Sequence, residues 1–373
     1  MSAFRVFDGK LVSETDLAIL KPTIAEAIQN KTPISLPAGQ IEPTAFTTLQ
    51  LKEEATAEEA VPITFKPVGP GLPLTVEIRF LYTGRYPSNI LSHPRDMLLS
   101  SSLKNLDLFD AAVEAVNFLI AQVNSRSGFS APPADKNGTA LVYYSPAVTT
   151  IKSVVTFNLI FQNFNSAVLD KISGVFSGVA GILIFMAAAP YLIGAKAVLK
   201  LAGDVGNQLF NGKPDFAITY TINFSDPGDP VQDAGFVVLF KEDEDPDTNP
   251  QKLTFDSRRG LVDASNQPYK GPAPYIVISI DGTQQDSLKS FAPTAASAAL
   301  MSKFFNAQDG DTIPTQDILD ALQALNDVKF SQKAADLQKQ IASASADQKA
   351  ALESQLKAVA ANIQNDALKP KTN

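Results

Sequence analysis

GVFSGVAGILIFMAAAPYLIGA, residues 174–195, is the stretch on which the reading of this chain turns. It lies in a run of 24 residues, between Lys171 and Lys196, that carries no charge. As a helix the run would extend roughly 36 Å at about 1.5 Å per residue, against a bilayer hydrocarbon core of about 30 Å. Gly174 and Gly178 form a G-x-x-x-G pair through which helices approach closely, and the flanking lysines are placed to snorkel. Pro190, four glycines and the small residues Ala187, Ala188 and Ala189 oppose a permanent span, because they lower the transfer gain relative to Leu or Ile.

Beyond Pro190 the pattern changes. Lys196, Lys200 and Asp204 share one face at i+4 spacing, while Val198, Leu199, Leu201, Val205 and Leu209 occupy others. This predicts two helices broken near Pro190, an apolar helical hairpin over about 166–211. Two placements follow. The hairpin is buried in the body of the protein, or it is released to insert into a membrane through 172–210, with Gly174, Gly178, Ile182, Leu183, Ile184, Phe185 and Pro190 as the inserting residues. Such a release is a switch between two burial partners of similar apolarity.

Outward from that stretch, the text on both sides reads as strand. FRVFDGKLVS places two short strands around Asp8-Gly9, a dipeptide suited to the φ > 0 positions of a hairpin turn. Ser13 with Asp16 marks a helix start for 14–29, interrupted by Pro22. TAFTTLQL, VPITFKPV, PLTVEIRFLY, RDMLLSSSL, ALVYY, SVVTFNLIF, FAITYTINF, GFVVLF, QKLTF and APYIVISI are β-branched or alternating, with Pro/Gly punctuation such as PVGPGLP. FDAAVEAVNFLIAQV at about 109–123 has helical i, i+3, i+4, i+7 spacing. The fold class expected is α+β: an antiparallel β-sandwich-like body over 1–283 with inserted helices at about 109–123 and 166–211, and a helical region over 284–373.

In the Ala/Gln/Lys-rich tail, Leu337, Ile341 and Ala344 step by four and three, as do Leu352, Leu356, Val359 and Ile363. This is a heptad-like apolar stripe. Ser345 with Gln348 three residues later resembles a capping box and divides the tail into two helices. A coiled-coil-like hairpin and one continuous arm both fit. The stripe either packs on its own protein or serves as an assembly surface.

Composition narrows the chemistry. The 31 basic against 39 acidic residues give a net charge of −8, which repels a phosphate backbone and argues against nucleic acid as a partner. With no Cys, disulfides, thiol nucleophiles, iron–sulfur clusters and thiolate zinc sites are excluded. The start MSAFRVFDGK has no basic region followed by an apolar run, which predicts cytoplasmic synthesis, with any export leaderless. The sequons at Asn30, Asn137 and Asn223 read as chance matches in that setting.

No motif names a reaction. The single histidine, His93, would have to serve any Ser-His-acid triad, and GVFSG places Ser177 one position late for a nucleophile elbow. Ser101 and Lys104 have Ser-x-x-Lys spacing without the companion Lys-Thr-Gly element. Phosphate-cradling glycine loops are missing. Two acidic loops, SDPGDPVQD (Asp226, Asp229, Asp233) and KEDEDPDTNP, flank the strand GFVVLF at opposite ends, about 25 Å apart for an eight-residue strand, so they cannot share one ion unless the strand is interrupted. Within the second, Asp243, Asp245 and Asp247 are a weak calcium candidate, against a solvated turn. No other cofactor is expected. The function expected is therefore that of a non-enzymatic interaction or assembly protein, a leaderless effector that binds a protein partner or itself. A membrane-active, toxin-like protein using 172–210 is the first alternative, and a hydrolase whose site forms only in the fold is the second.

Overall fold

The computed structural model describes residues 2–36, 39–48, 50–51, 63–87, 93–105, 113–131, 140–164, 214–224, 231, 233–285, 288 and 315–371. The predicted apolar hairpin, including Gly174, Gly178, Ile182, Leu183, Ile184, Phe185 and Pro190, lies outside the described residues.

The chain opens with β1 (Ser2–Phe7), β2 (Lys10–Ser13), α1 (Glu14–Asn30), β3 (Ile34–Leu36), β4 (Gly39–Ile41), α2 (Thr44–Thr48), β5 (Gln50–Leu51) and β6 (Ile63–Thr64). Next come β7 (Leu74–Tyr82), β8 (Arg95–Asn105), β9 (Val113–Val123), β10 (Gly128–Ser130), β11 (Leu141–Ser145), β12 (Lys152–Gln162) and β13 (Phe216–Asn223). The last elements are β14 (Gly235–Phe240), β15 (Thr254–Asp256), β16 (Gly260–Val262), β17 (Tyr275–Asp281), α3 (Thr315–Ser343) and α4 (Ala346–Ala361).

Antiparallel sheet dominates. A nine-stranded sheet runs β10-β7-β17-β14-β1-β2-β15-β16, with β11 also on β7, and curls until β16 approaches β7, so that it nearly closes into a barrel. A four-stranded sheet runs β13-β12-β8-β9. One apolar core joins them: Phe157, Phe216 and Leu99 of the smaller sheet belong to the same cluster as Val237, Ile278 and Val76 of the larger. β14 is buried on both faces, as is all of β17 but its last residue, which is why they read as unbroken apolar runs, whereas β13 alternates buried and exposed positions. The sandwich-like, sheet-dominated α+β reading holds at this level.

The first hairpin forms as its sequence dictates. Asp8 and Gly9 both take positive φ, 50° and 76°, which matches the twist of the flanking strands. The Ser13 hydroxyl then accepts from the Asp16 amide at 3.0 Å and caps α1. Pro22 does not interrupt that helix. It sits on the exposed side, while Leu17, Ile24 and Ala27 face a second core with Phe7 and Phe46.

Two further segments differ from their sequence reading. TAFTTLQL is not continuous strand: Thr44–Thr48 form the short helix α2, started by Pro43 and anchored by the buried Phe46 against Phe7, ring centroids 4.7 Å apart. The helix read over 109–123 is a strand over Val113–Val123, paired along β8. Its register shifts twice: two steps on β8 from Arg95 to Met97 match three on β9 from Val123 to Ile120, and one step from Leu99 to Ser100 matches two from Phe118 to Val116. Gln122 takes φ 54° at the first shift. With the extra residue, the buried positions fall at Phe118, Ile120 and Val123, and the 2,3 spacing imitates a helix.

At the C terminus, α3 and α4 form a hairpin. Leu337, Val359 and Ile363 are buried in it with Phe330 and Ala334, and Leu352 and Leu356 pack against them; Ile341 is half-buried. Ser345 begins α4, but its side chain caps nothing; its backbone carbonyl accepts from the Gln348 and Lys349 amides, each at 3.1 Å. The hairpin rests on the loop after β11, where the Asn362 amide donates to the Ala147 carbonyl at 3.1 Å and Lys333 reaches the Thr149 carbonyl at 3.3 Å.

Candidate functional site: a polar cleft along the β13 edge

β13 is FAITYTIN. Phe216, Ile218, Tyr220 and Ile222 point into the core, while Ala217, Thr219 and Asn223 are exposed and Thr221 is half-buried. It is an end strand of the smaller sheet: among the described residues it pairs with β12 alone. The direction of its backbone groups follows from the ladder. The Phe224 amide donates to the Ile151 carbonyl at 3.0 Å, and the register continues from Lys152 with Asn223 to Leu159 with Phe216. Hydrogen-bonded and non-bonded pairs alternate in an antiparallel ladder, so Ile222, Tyr220 and Ile218 bond to β12. The N–H and C=O groups of Ala217, Thr219, Thr221 and Asn223 point the other way, off the edge of the sheet.

That edge borders a cleft of about 570 Å³. Thr219, Tyr220, Thr221 and Asn223 line one side, from both faces of β13, so the cleft follows the strand edge. The other side is the start of β1 (Ser2, Ala3, Phe4) and the β2–α1 junction (Ser13, Glu14, Thr15), with Glu242, Asn249 and Gln251 from the loop after β14. The volume lies within the usual range for ligand pockets. The lining is hydroxyl, amide and carboxylate, and among the described residues no lysine or arginine contributes to it.

The two carboxylates are fixed by neighbours. Tyr220 donates its hydroxyl to Glu14 Oε1, tying the smaller sheet to the first turn of α1, and Ser2 donates to Glu242 Oε2. Gln251 donates to Asp16 Oδ2 at 2.5 Å, which also receives the Ser13 hydroxyl at 2.7 Å. Burial pushes the Glu14 carboxyl above its usual range and Asp233 adds to this, while the Tyr220 hydrogen bond and Arg5 oppose it. Burial likewise pushes the Tyr220 hydroxyl well up, so it stays a donor. Arg5, 5% exposed, is engaged beneath the cleft by Asp233 at 3.7 Å and by the Ala234 carbonyl at 2.8 Å. The cleft therefore offers carboxylates, hydroxyls and a strip of backbone that has no partner among the described residues.

The candidate catalytic and metal-ligating residues of the sequence sit elsewhere. Asp243 is exposed and ion-paired with Lys241 at 2.6 Å, whose hydrogen bond holds its carboxyl below the usual range. Asp245 is buried and accepts from the Tyr269 hydroxyl at 2.6 Å, while Asp247 is exposed. The three do not converge, and no group of three or more His, Asp or Glu side chains among the described residues is arranged to hold a metal ion. Asp226 and Asp229 lie outside the described residues, and Asp233 belongs to Arg5. His93 is exposed and does not line the cleft. Ser101 and Lys104 lie on β8, where a spacing of three sends side chains to opposite faces: Ser101 is buried and Lys104 exposed. Leu337, Ile341, Leu352, Leu356, Val359 and Ile363 are buried or half-buried in the helical hairpin. No described helix is long and apolar enough to cross a membrane.

Sequence reading did not single out Glu14 or Tyr220, and met Glu242 only as a member of the acidic loop KEDEDPDTNP. The one available signal was the Thr/Asn row alternating with the apolar residues of FAITYTIN. Compared with protein-family models, curated proteins and solved structures, the chain matches none.

Proposed function

We propose that this is a non-enzymatic interaction protein whose partner enters the cleft beside β13. The observation that carries this reading is the strip of backbone N–H and C=O groups turned into a cleft whose carboxylates already hold hydroxyl donors. A strand edge in a cleft is a recognition surface, because main-chain groups supply affinity and the flanking walls supply selectivity. The test is selection of a random peptide library on the full-length chain, followed by Thr15→Trp, which fills the rim from the exposed first turn of α1. Ligands that lose binding in that variant support the reading. Ligands indifferent to it, or no ligand at all, place the function elsewhere.

A second reading, membrane action through 172–210, has its own support. The chain leaves the sheet after β12 and returns at β13, its neighbour in register, with the Phe161 amide donating to Asp215 Oδ2 at 2.8 Å beside the exit. The apolar stretch thus enters the fold as an insertion in one β-hairpin, and the ladder is complete on either side of it. In this reading the insertion is the apolar helical hairpin over 166–211, and assembly of several copies uses the C-terminal arm. Flotation with liposomes at neutral and mildly acidic pH, with dye leakage in parallel, tests it. Protein that stays at the bottom of the gradient under both conditions would remove it.

A further inference from the structure

We propose that the partner is an extended peptide carrying lysine or arginine, which adds to the smaller sheet as a new strand on the β13 edge while its cations face Glu14 and Glu242. The inference rests on the cleft reading above and adds the mode of binding and the chemistry of the partner.

The mode follows from the phase of the ladder. Thr219, Thr221 and Asn223 both line the cleft and direct off the edge backbone groups that have no partner among the described residues, so the donors and acceptors lie along one side of the groove. From Thr219 to Asn223 they repeat at every second residue over roughly 14 Å, the spacing an added antiparallel strand requires. A globular ligand would meet one such pair, whereas an extended chain meets all of them. The chemistry follows from the opposite wall. Among the described residues Glu14 and Glu242 are its charged groups, Arg5 is held by Asp233, and a carboxylate that accepts one hydroxyl keeps capacity for further donors. An ammonium or guanidinium group satisfies that capacity with a charge-assisted bond.

The probe is a cleft-binding peptide from the selection, synthesised with backbone N-methyl groups at odd or at even positions. Strand addition predicts a period-two result: one methylated series loses binding to the unmodified protein by about tenfold or more, and the other retains it. On the protein, Thr221→Pro removes an edge donor without touching the bonds to β12, and is expected to weaken the peptide by about tenfold with the melting temperature little changed. Glu14→Gln with Glu242→Gln is expected to reduce lysine- and arginine-bearing peptides selectively. Equal tolerance of both methylated series would overturn strand addition while leaving the cleft reading intact. Peptides without enrichment in basic residues would overturn the charge assignment. Dimerisation abolished by Thr221→Pro, with no peptide bound, would make a second copy the occupant. Absence of any ligand sensitive to the Thr15 rim would remove both proposals.

Discussion

The two sheets treat their edges in opposite ways. The nine-stranded sheet curls back so that β16 meets β7, and an aromatic cluster plugs the closure: Tyr82 lies 5.2 Å from Tyr275 and 5.4 Å from Tyr269 between ring centroids. Each of these hydroxyls is engaged. Tyr275 accepts from the Leu261 amide at 2.9 Å, Tyr82 donates to the Gly271 carbonyl at 3.0 Å, and Tyr269 donates to Asp245. Burial pushes the Tyr82 hydroxyl up to about 12, so it remains a donor across the physiological range. The four-stranded sheet, by contrast, stops at β13 among the described residues, with half of that strand's backbone groups facing a cleft. Closure serves stability, and an open edge is a hazard for aggregation unless it is covered or confined. Here confinement comes from the β2–α1 junction, whose Glu14 reaches across to Tyr220.

The largest expected effect breaks the closed side. Gly260 takes φ 78°, and a Cβ there would lie 2.3 Å from the Tyr275 hydroxyl and 2.5 Å from Phe80. Both rings are buried in the core and cannot withdraw. Gly260→Ala should therefore cost about 3 kcal/mol or more, measured by denaturant unfolding, through backbone strain and overpacking. Next comes the strut between the two regions. Tyr220→Phe removes the donor to a half-buried carboxylate and should cost about 1 kcal/mol.

Smallest is Glu14→Gln, whose amide oxygen can still accept from Tyr220. Because the folded-state carboxyl titrates above its unfolded value, ionisation opposes folding at pH above both values and has no effect below both. The variant should be slightly more stable than the native chain at neutral pH, by less than either loss above. That advantage should fade as pH falls through the folded-state value toward the ordinary carboxylate range, as read in melts across pH. A constant difference across that window would contradict the burial of Glu14.

Much of the sheet framework is legible residue by residue. Asp8-Gly9 marks a turn, Ser13 with Asp16 marks a cap, and the alternation in SVVTFNLIF and FAITYTINF states which face each side chain takes. β9 is not legible because two added residues shift its buried positions away from period two. α2 is hidden because Thr and Phe favour strands, while the local turn after Pro43 decides otherwise. The cleft is least legible. Whether a strand has a neighbour depends on residues far away in sequence, and Glu14 and Tyr220 are 206 positions apart. Sequence shows Glu14 only as an acid at a helix start.

The central claim is that alternate amides of β13 face an open cleft, and residue-resolved hydrogen exchange of the unliganded protein tests it most directly. Amides of Ile218, Tyr220 and Ile222 should exchange slowly, and those of Thr219, Thr221 and Asn223 rapidly, in strict alternation. Uniform protection along Phe216–Asn223 would show that the edge is already covered, and would contradict the account.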